Sequence, residues 1–485
     1  MVGRCWSWLT VLLPLAAAGT LGSPTASEPP AAHRERGATD GVWFWTLPDT
    51  PNGLKPIQSW SGAGPAPGGE IYVAGMDHRT NAALYRLRPG DDPAAAPGPV
   101  LGYVGDARSA SEAAGNWAPG ETAEKFHTRP AWHGSRVYVA TLSHSRLDDG
   151  YTAKRGFHWY AYDPVDGAFR DLSAREGGGT GAPRGGLVSI AVDASRGVIY
   201  GALVPTGDIH AYDIGPGRTR RIGRPDYGRE HVYAGRAMWL DRRGRLYFTA
   251  GNPATGPANG GPYDPAIFNH VRYYDPGTGL FGEMPDWQLH DQRAIDAARC
   301  FPEAGVCYLS DNVGHVYRFS DAAGADGPSW EHVGSIGQGT TREHGVSWVF
   351  QVRDGGDRAY LLTAKGRLFA MDLRTGRIVS RLDFFALEPS CRGLQLYGFD
   401  AWDGNGRFYF AAFGRPGAPF NARLVALDPD RLIAAAEGGD PRPLGDDRAA
   451  EIERRRRDGH LTEQHPRPLP DTYKAEEAIS RHVTF

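Results

Sequence analysis

The sequence predicts an all-β fold, a seven-bladed β-propeller of four-stranded antiparallel blades, and three observations carry that prediction. A short apolar run built around a tyrosine recurs seven times, at Tyr72, Tyr138, Tyr200, Tyr247, Tyr308, Tyr360 and Tyr409. Each run opens on a turn and alternates like a strand (GGEIYVAG, GSRVYVAT, RGVIYGAL, RGRLYFTA, AGVCYLSD, GDRAYLLT, NGRFYFAA). Each then leads into a partner strand that ends at or near an aspartate or a Gly/Pro turn, as in HWYAYDPVDG and RLFAMDLRTG. The spacing of roughly 45–65 residues is the size of one four-stranded blade with its loops.

Length and composition agree with radial repetition. A chain of 485 residues exceeds the usual single-core size, but a propeller grows without one oversized core. The 65 Gly and 37 Pro supply turns, and 13 Trp with 11% aromatics supply wide side chains for packing between blades or stacking on ligands. A net charge of −3 argues against a nucleic-acid binder held by bulk electrostatics.

In chain order, residues 1–22 have the layout of a secretory signal peptide: Arg4, an apolar stretch from Trp6 to Ala18, then small residues. The stretch is too short to span a bilayer and no later segment approaches that length, so the expectation is a soluble, secreted or periplasmic protein. Residues 23–40 read as a disordered linker. The propeller is expected over 41–445, with Val42–Leu47 closing the ring as the outer strand of the last blade; the terminal HVTF is the alternative. Cys300 and Cys307 flank a turn that places them opposite each other on a hairpin, which allows a disulfide. Cys391 reads as a lone core thiol. The aspartates of the DPxxG-type turns read as hairpin chemistry. Residues 251–265 form a Gly/Pro-rich loop at the expected mouth, and residues 446–485 read as a charged helix (446–458) and tail packed on the propeller.

Antiparallel pairing across each first turn predicts which residues share a rim. In the second blade His127 is expected opposite Leu142, which puts His127, Arg129 and His144 together. The fourth blade contributes His231, Tyr233, Arg236 and Asn252, and the fifth Arg293. The sixth adds His344 near Lys365, and the seventh adds Tyr397 near Arg415. Distant stretches thus converge on one cationic and aromatic mouth, where propellers keep ligands. The competing reading is ordinary polar capping of solvated strand ends.

The chain has no Walker loop, Rossmann fingerprint, HExxH, paired CxxC or Gly-x-Ser-x-Gly elbow, hence no organic cofactor motif. A His/Tyr/Arg cluster suits β-elimination of a uronic-acid polysaccharide, which needs a cation on the carboxylate, a base for the α-proton and an acid for the leaving oxygen. His127 or His344 fits the base, Tyr233 or Tyr397 the acid, and Arg129 or Arg236 the carboxylate fork. The ligand expected is an acidic glycan.

The repeat pattern over residues 42–432 resembles secreted seven-bladed propellers of the YVTN, lactonase-like and pyrroloquinoline-quinone-like repeat groups, which implies fold alone. More weakly, KFHTRPAWHGSRVYVATLSHS is similar to propeller-type polysaccharide lyases, which carry His, Tyr and Arg at one mouth. That resemblance also implies a divalent metal held by histidines from different blades, the candidates being His127, His144, His231, His315 and His344. Two further readings stand beside the lyase: a non-catalytic propeller that binds a glycan or a protein, and a metal-dependent lactonase-like hydrolase.

Overall fold

Each tyrosine of the repeat lies in the second strand of an antiparallel meander. In the computed structural model the described residues are 31–32, 34–88, 100–142, 155–228, 232, 234–250, 267, 270–289, 294–311, 313–321, 327–336, 347–415 and 417–437. The second strands, such as Ile71–Met76, Val198–Val204 and Phe408–Phe413, are buried along their whole length. Both of their faces are covered because neighbouring sheets pack face to face, so they read as unbroken apolar runs. Outer strands such as Arg218–Gly223 and Ser329–Ser335 are largely solvated, and their sequences are polar.

The first strands build the ring. They are Ala63–Pro65, Lys125–Phe126 with Ala131–His133, Gly186–Asp193, Ala234–Leu240, Ile295–Phe301, Ser347–Val352 and Gln395–Phe399. From one meander to the next these inner strands pack against each other, and the last meander packs back on Ala63–Pro65. Antiparallel meanders closed into a circle make a β-propeller. The inner strands Ser347–Val352 and Gln395–Phe399 go further and pair in parallel, Val349 with Gly398 and Phe350 with Phe399, which fuses two meanders into one nine-stranded sheet. Gln351 reinforces that seam: its amide donates to the Tyr409 carbonyl and accepts from the Ala401 amide.

Ring closure comes from the N-terminal side. Val42–Thr46 pairs with Arg423–Leu427 as the outer strand of the last meander. The preceding stretch is not purely linker, however. Ala31–Ala32 pairs with Leu101–Gly102, and Glu35–Arg36 pairs with Val42–Thr46. Backbone pairing compensates there for side chains too small or polar to predict a strand. The helices have no counterpart in the sequence reading; the two longest among the described residues are Ala107–Ala113, capped by Asp106, and Pro429–Glu437. The expected helix over 446–458 and the loop over 251–265 lie outside the described residues.

Register explains one further difference. Lys125, not His127, stands opposite Leu142, and Phe126 stands opposite Thr141. Pro130 lacks an amide hydrogen, and Thr128 Oγ1 takes the place of a strand partner for the Ala140 amide at 2.9 Å, so the inner strand breaks and slips by two residues. Cys300 and Cys307 are register partners and form a disulfide. Cys391 is a buried free thiol, its pKa pushed up to about 12 by burial.

Candidate axial site

The inner strands share a defect near their starts. The ladder of four successive ones is interrupted between Leu187 and Ser189, Ala234 and Met238, Ile295 and Ala297, and Ser347 and Val349. A bulge adds one unpaired residue and re-aims its side chain. The residues displaced from the ladder are Val188, Gly235 to Ala237, Asp296 and Trp348. Gly235 is required at its bulge, since a Cβ there would lie 2.5 Å from Thr249 Oγ1.

The displaced groups meet. Arg236 approaches Asp296 at 3.8 Å and lies over the Trp348 ring at 5.9 Å. Trp348 packs edge-on against Trp60, which also meets Tyr397 at 5.4 Å and Phe413 at 5.0 Å. Tyr397 in turn meets His127, ring centroids 6.4 Å apart. His127 Nδ1 lies 2.9 Å from the Val188 carbonyl, the oxygen exposed by the first bulge. That bond requires the proton on Nδ1, so a neutral ring carries its lone pair on Nε2. One continuous chain of contacts therefore joins residues from all of these meanders, the third through the Val188 carbonyl, at the end where inner strands begin.

Lys125 belongs to the same end. It is two residues before His127, 5% exposed, and its Nζ lies 3.4 Å from His78 Nε2. Burial drives its pKa down to about 7; the nearby positive charge of Arg236 lowers it as well, and Glu124 opposes them.

Arg129 lies deeper. Its guanidinium donates to Asp400 Oδ2 at 2.9 Å and to the carbonyls of Phe399 and Asp400. Arg299 binds the other Asp400 oxygen at 2.5 Å and reaches Asp354 at 2.7 Å. Asp400 follows Tyr397 by three residues, about 10 Å along an extended strand. Three meanders that are not ring neighbours are thus tied together below the aromatic layer, and the tie crosses the axis. Asp400 sits in the left-handed region at φ 48°, a conformation aspartate tolerates better than most residues.

Of the residues singled out in the sequence, His127, Arg236 and Tyr397 come together. Arg129 joins the deeper tie, away from the rim, because the broken inner strand carries it inward. Lys365 and Arg415 are exposed in turns that follow second strands. Tyr233, His344, His144, His231, Asn252 and Arg293 lie outside the described residues. Each arginine here has a carboxylate beside it, Asp296 or Asp400, so the described site is more balanced in charge than a purely cationic mouth. Among the described residues no group of three or more His, Cys, Asp or Glu side chains is placed to hold a metal ion; His315 instead pairs with His332 at 3.1 Å.

Sequence reasoning missed Trp60, Asp296, Trp348, Lys125 and His78. The last residue of a broken ladder is not visible without register, which hid Asp296 and Trp348. Lys125 had a visible signal: lysine occurs at only five positions, 55, 125, 154, 365 and 474, in a chain otherwise rich in arginine.

No protein-family model and no curated protein matches the sequence. Solved structures similar in shape include the β-propeller domain of Cps50 (Swd1) from Myceliophteria thermophila. It is 11% identical at a TM-score of 0.47, over 77% of this chain and 97% of that one. A chain of the mitotic checkpoint complex is also 11% identical at 0.47, over 86% and 98%. The protein is a β-propeller on the strength of its own sheets, with an aromatic and charged cup at one end of its axis. No helix among the described residues is long and apolar enough to cross a membrane.

Proposed function

We propose that the chain is an exported seven-bladed propeller, with four strands at the heart of each blade, that binds a carboxylated glycan in the axial cup. The observation that carries this reading is the series of bulges that turns Arg236, Asp296 and Trp348 out of the ladder toward Trp60, Tyr397 and His127. A bulge repeated where no hairpin requires it supports a site, since polar capping needs no displaced tryptophan. Trp60, half-buried and edge-packed on three rings, offers a rigid apolar surface for a sugar face. Arg236 approaches Asp296 at 3.8 Å, and a ligand carboxylate would offer its guanidinium a planar, bidentate partner. The Cys300–Cys307 disulfide supports passage through an oxidising compartment, in keeping with the signal-like first 22 residues.

A second reading, turnover of the same ligand by β-elimination, is favoured by one observation. The Nδ1 contact of His127 fixes the tautomer whose Nε2 accepts a proton, beside the phenol of Tyr397. Retention of the mature protein on immobilised uronate-containing glycans tests binding, and the ultraviolet absorbance of an unsaturated uronate tests turnover. Arg236→Gln and Trp60→Ala are each expected to weaken retention about tenfold, roughly 1.4 kcal/mol, in protein that keeps a cooperative thermal transition. Retention unchanged in both variants, or no retention by the parent on any acidic glycan, overturns the reading. Absorbance that survives His127→Ala removes His127 as base.

A further inference from the structure

Lysine is scarce in this chain, and one of its five copies is buried at the cup. Lys125 Nζ lies 3.4 Å from His78 Nε2. His78 is itself buried and held in the left-handed region at φ 62°, unusual for a residue with a side chain. Asp77 fixes that turn: its Oδ1 accepts from the amides of Arg79, Thr80 and Asn81. The turn thereby carries an imidazole from the first meander onto an amine of the second. Burial together with the positive charge of Arg236 brings the amine's pKa to about 7, against the usual lysine range near 10. An ordinary surface lysine is protonated and non-nucleophilic at neutral pH; a desolvated one beside another cation is an amine nucleophile.

We propose that Lys125 is a carbonyl-capturing amine, forming a Schiff base with a small aldehyde or ketone that carries an anionic group. The inference rests on the cup being the ligand site. In the step, the Nζ lone pair adds to the carbonyl carbon, a C–N bond forms and the C=O π pair moves to oxygen. One amine proton passes through His78 to that oxygen, giving a neutral carbinolamine. Loss of the second amine proton and expulsion of the protonated hydroxyl as water leave the C=N bond, so one carbonyl and one amine give one imine and one water. Arg236 selects the anionic partner.

The test uses the mature protein with glyoxylate, an anionic aldehyde, and glycolaldehyde, a neutral one, each with cyanoborohydride to trap the imine. Peptide mass spectrometry then reads all five lysines. Lys125 is expected to be labelled at least tenfold faster than Lys55, Lys154, Lys365 or Lys474 at pH 7, with glyoxylate ahead of glycolaldehyde. Its rate should fall no more than about tenfold from pH 8 to pH 6, whereas that of an ordinary lysine falls about a hundredfold. His78→Asn is expected to slow labelling at Lys125 while the other lysines are unaffected. Lys125→Arg, checked for an unchanged thermal transition, should abolish the fast label. Labelling of Lys125 no faster than the other four overturns the proposal, as does a pH profile parallel to theirs. Glycan retention measured on the same samples separates the two readings. Retention without a fast label sinks the amine alone, whereas a fast label without retention sinks the glycan reading and leaves the amine.

Discussion

His158 shows how far one buried side chain can set the response of this protein to pH. Its Nε2 lies 2.8 Å from Glu121 Oε1 and its Nδ1 2.9 Å from Asp171 Oδ2. Ser111 and Asn116 also donate to Asp171, Arg155 donates to Glu121, and Tyr160 stacks on the ring. Burial by itself disfavours the imidazolium, but the hydrogen bonds and charges of Asp171 and Glu121 outweigh it and raise the pKa. The folded chain therefore holds a proton that the unfolded chain releases near pH 6.5. The stability this contributes is complete below that pH and is lost as pH rises through the folded value. Urea denaturation between pH 6 and 9 should show the parent losing stability where His158→Gln does not. Parallel curves would show that His158 is neutral in the fold. At this scale the sequence was least informative. His158 carries no motif, because its two carboxylates come from residues 121 and 171, on either side of it and far apart in sequence.

At the scale of the strand and its turn, two of the seven repeated tyrosines, Tyr247 and Tyr409, have a structural reason beyond their rings. Tyr247 donates its hydroxyl to Asp241 and Tyr409 to Asp403, in each case six residues after the aspartate that organises the preceding turn. Asp403 also accepts from the Asn405 and Arg407 amides and from the Arg407 guanidinium at 2.6 Å. The phenol thus ties a second strand to its own hairpin while its ring fills the space between sheets. Tyr409→Phe keeps the ring and removes the bond to a buried carboxylate, so a loss of about 1–3 kcal/mol is expected by denaturant titration. A change below about 0.5 kcal/mol would show the hydroxyl to be dispensable. These strands were legible because alternation, turn residues and tyrosine all repeat, and each repeat confirms the others. The bulges were not legible: one extra residue in a ladder leaves composition and periodicity almost unchanged, yet it decides that Asp296 and Trp348 face the axis. The slip in expected register at His127 has the same origin in Thr128–Pro130.

For the whole molecule, the weak point of a circular sheet is where the chain's two ends must meet. Here Val42–Thr46 pairs along its length with Arg423–Leu427, and Val42, Trp43, Phe44 and Trp45 are all buried. Burying each such side chain stabilises by about 1.5–3 kcal/mol, so this strand contributes an amount comparable to the roughly 5–15 kcal/mol net stability of a typical domain. A chain beginning at Pro48 is expected to lose its cooperative calorimetric transition and to associate through the bared edge strand. A sharp transition within a few degrees of the parent would place the closure elsewhere.

The crossing of Arg129, Asp400 and Arg299 beneath the aromatic layer has a consequence for traffic. A hollow axis would let a polymer thread from one face to the other; if the Asp400 carboxylate held between Arg129 and Arg299 bars that path, whatever enters the cup must leave the way it came. A long chain can present only a terminus or a sharply bent interior segment, so occupancy should depend on the number of free ends in a sample and not on its total mass.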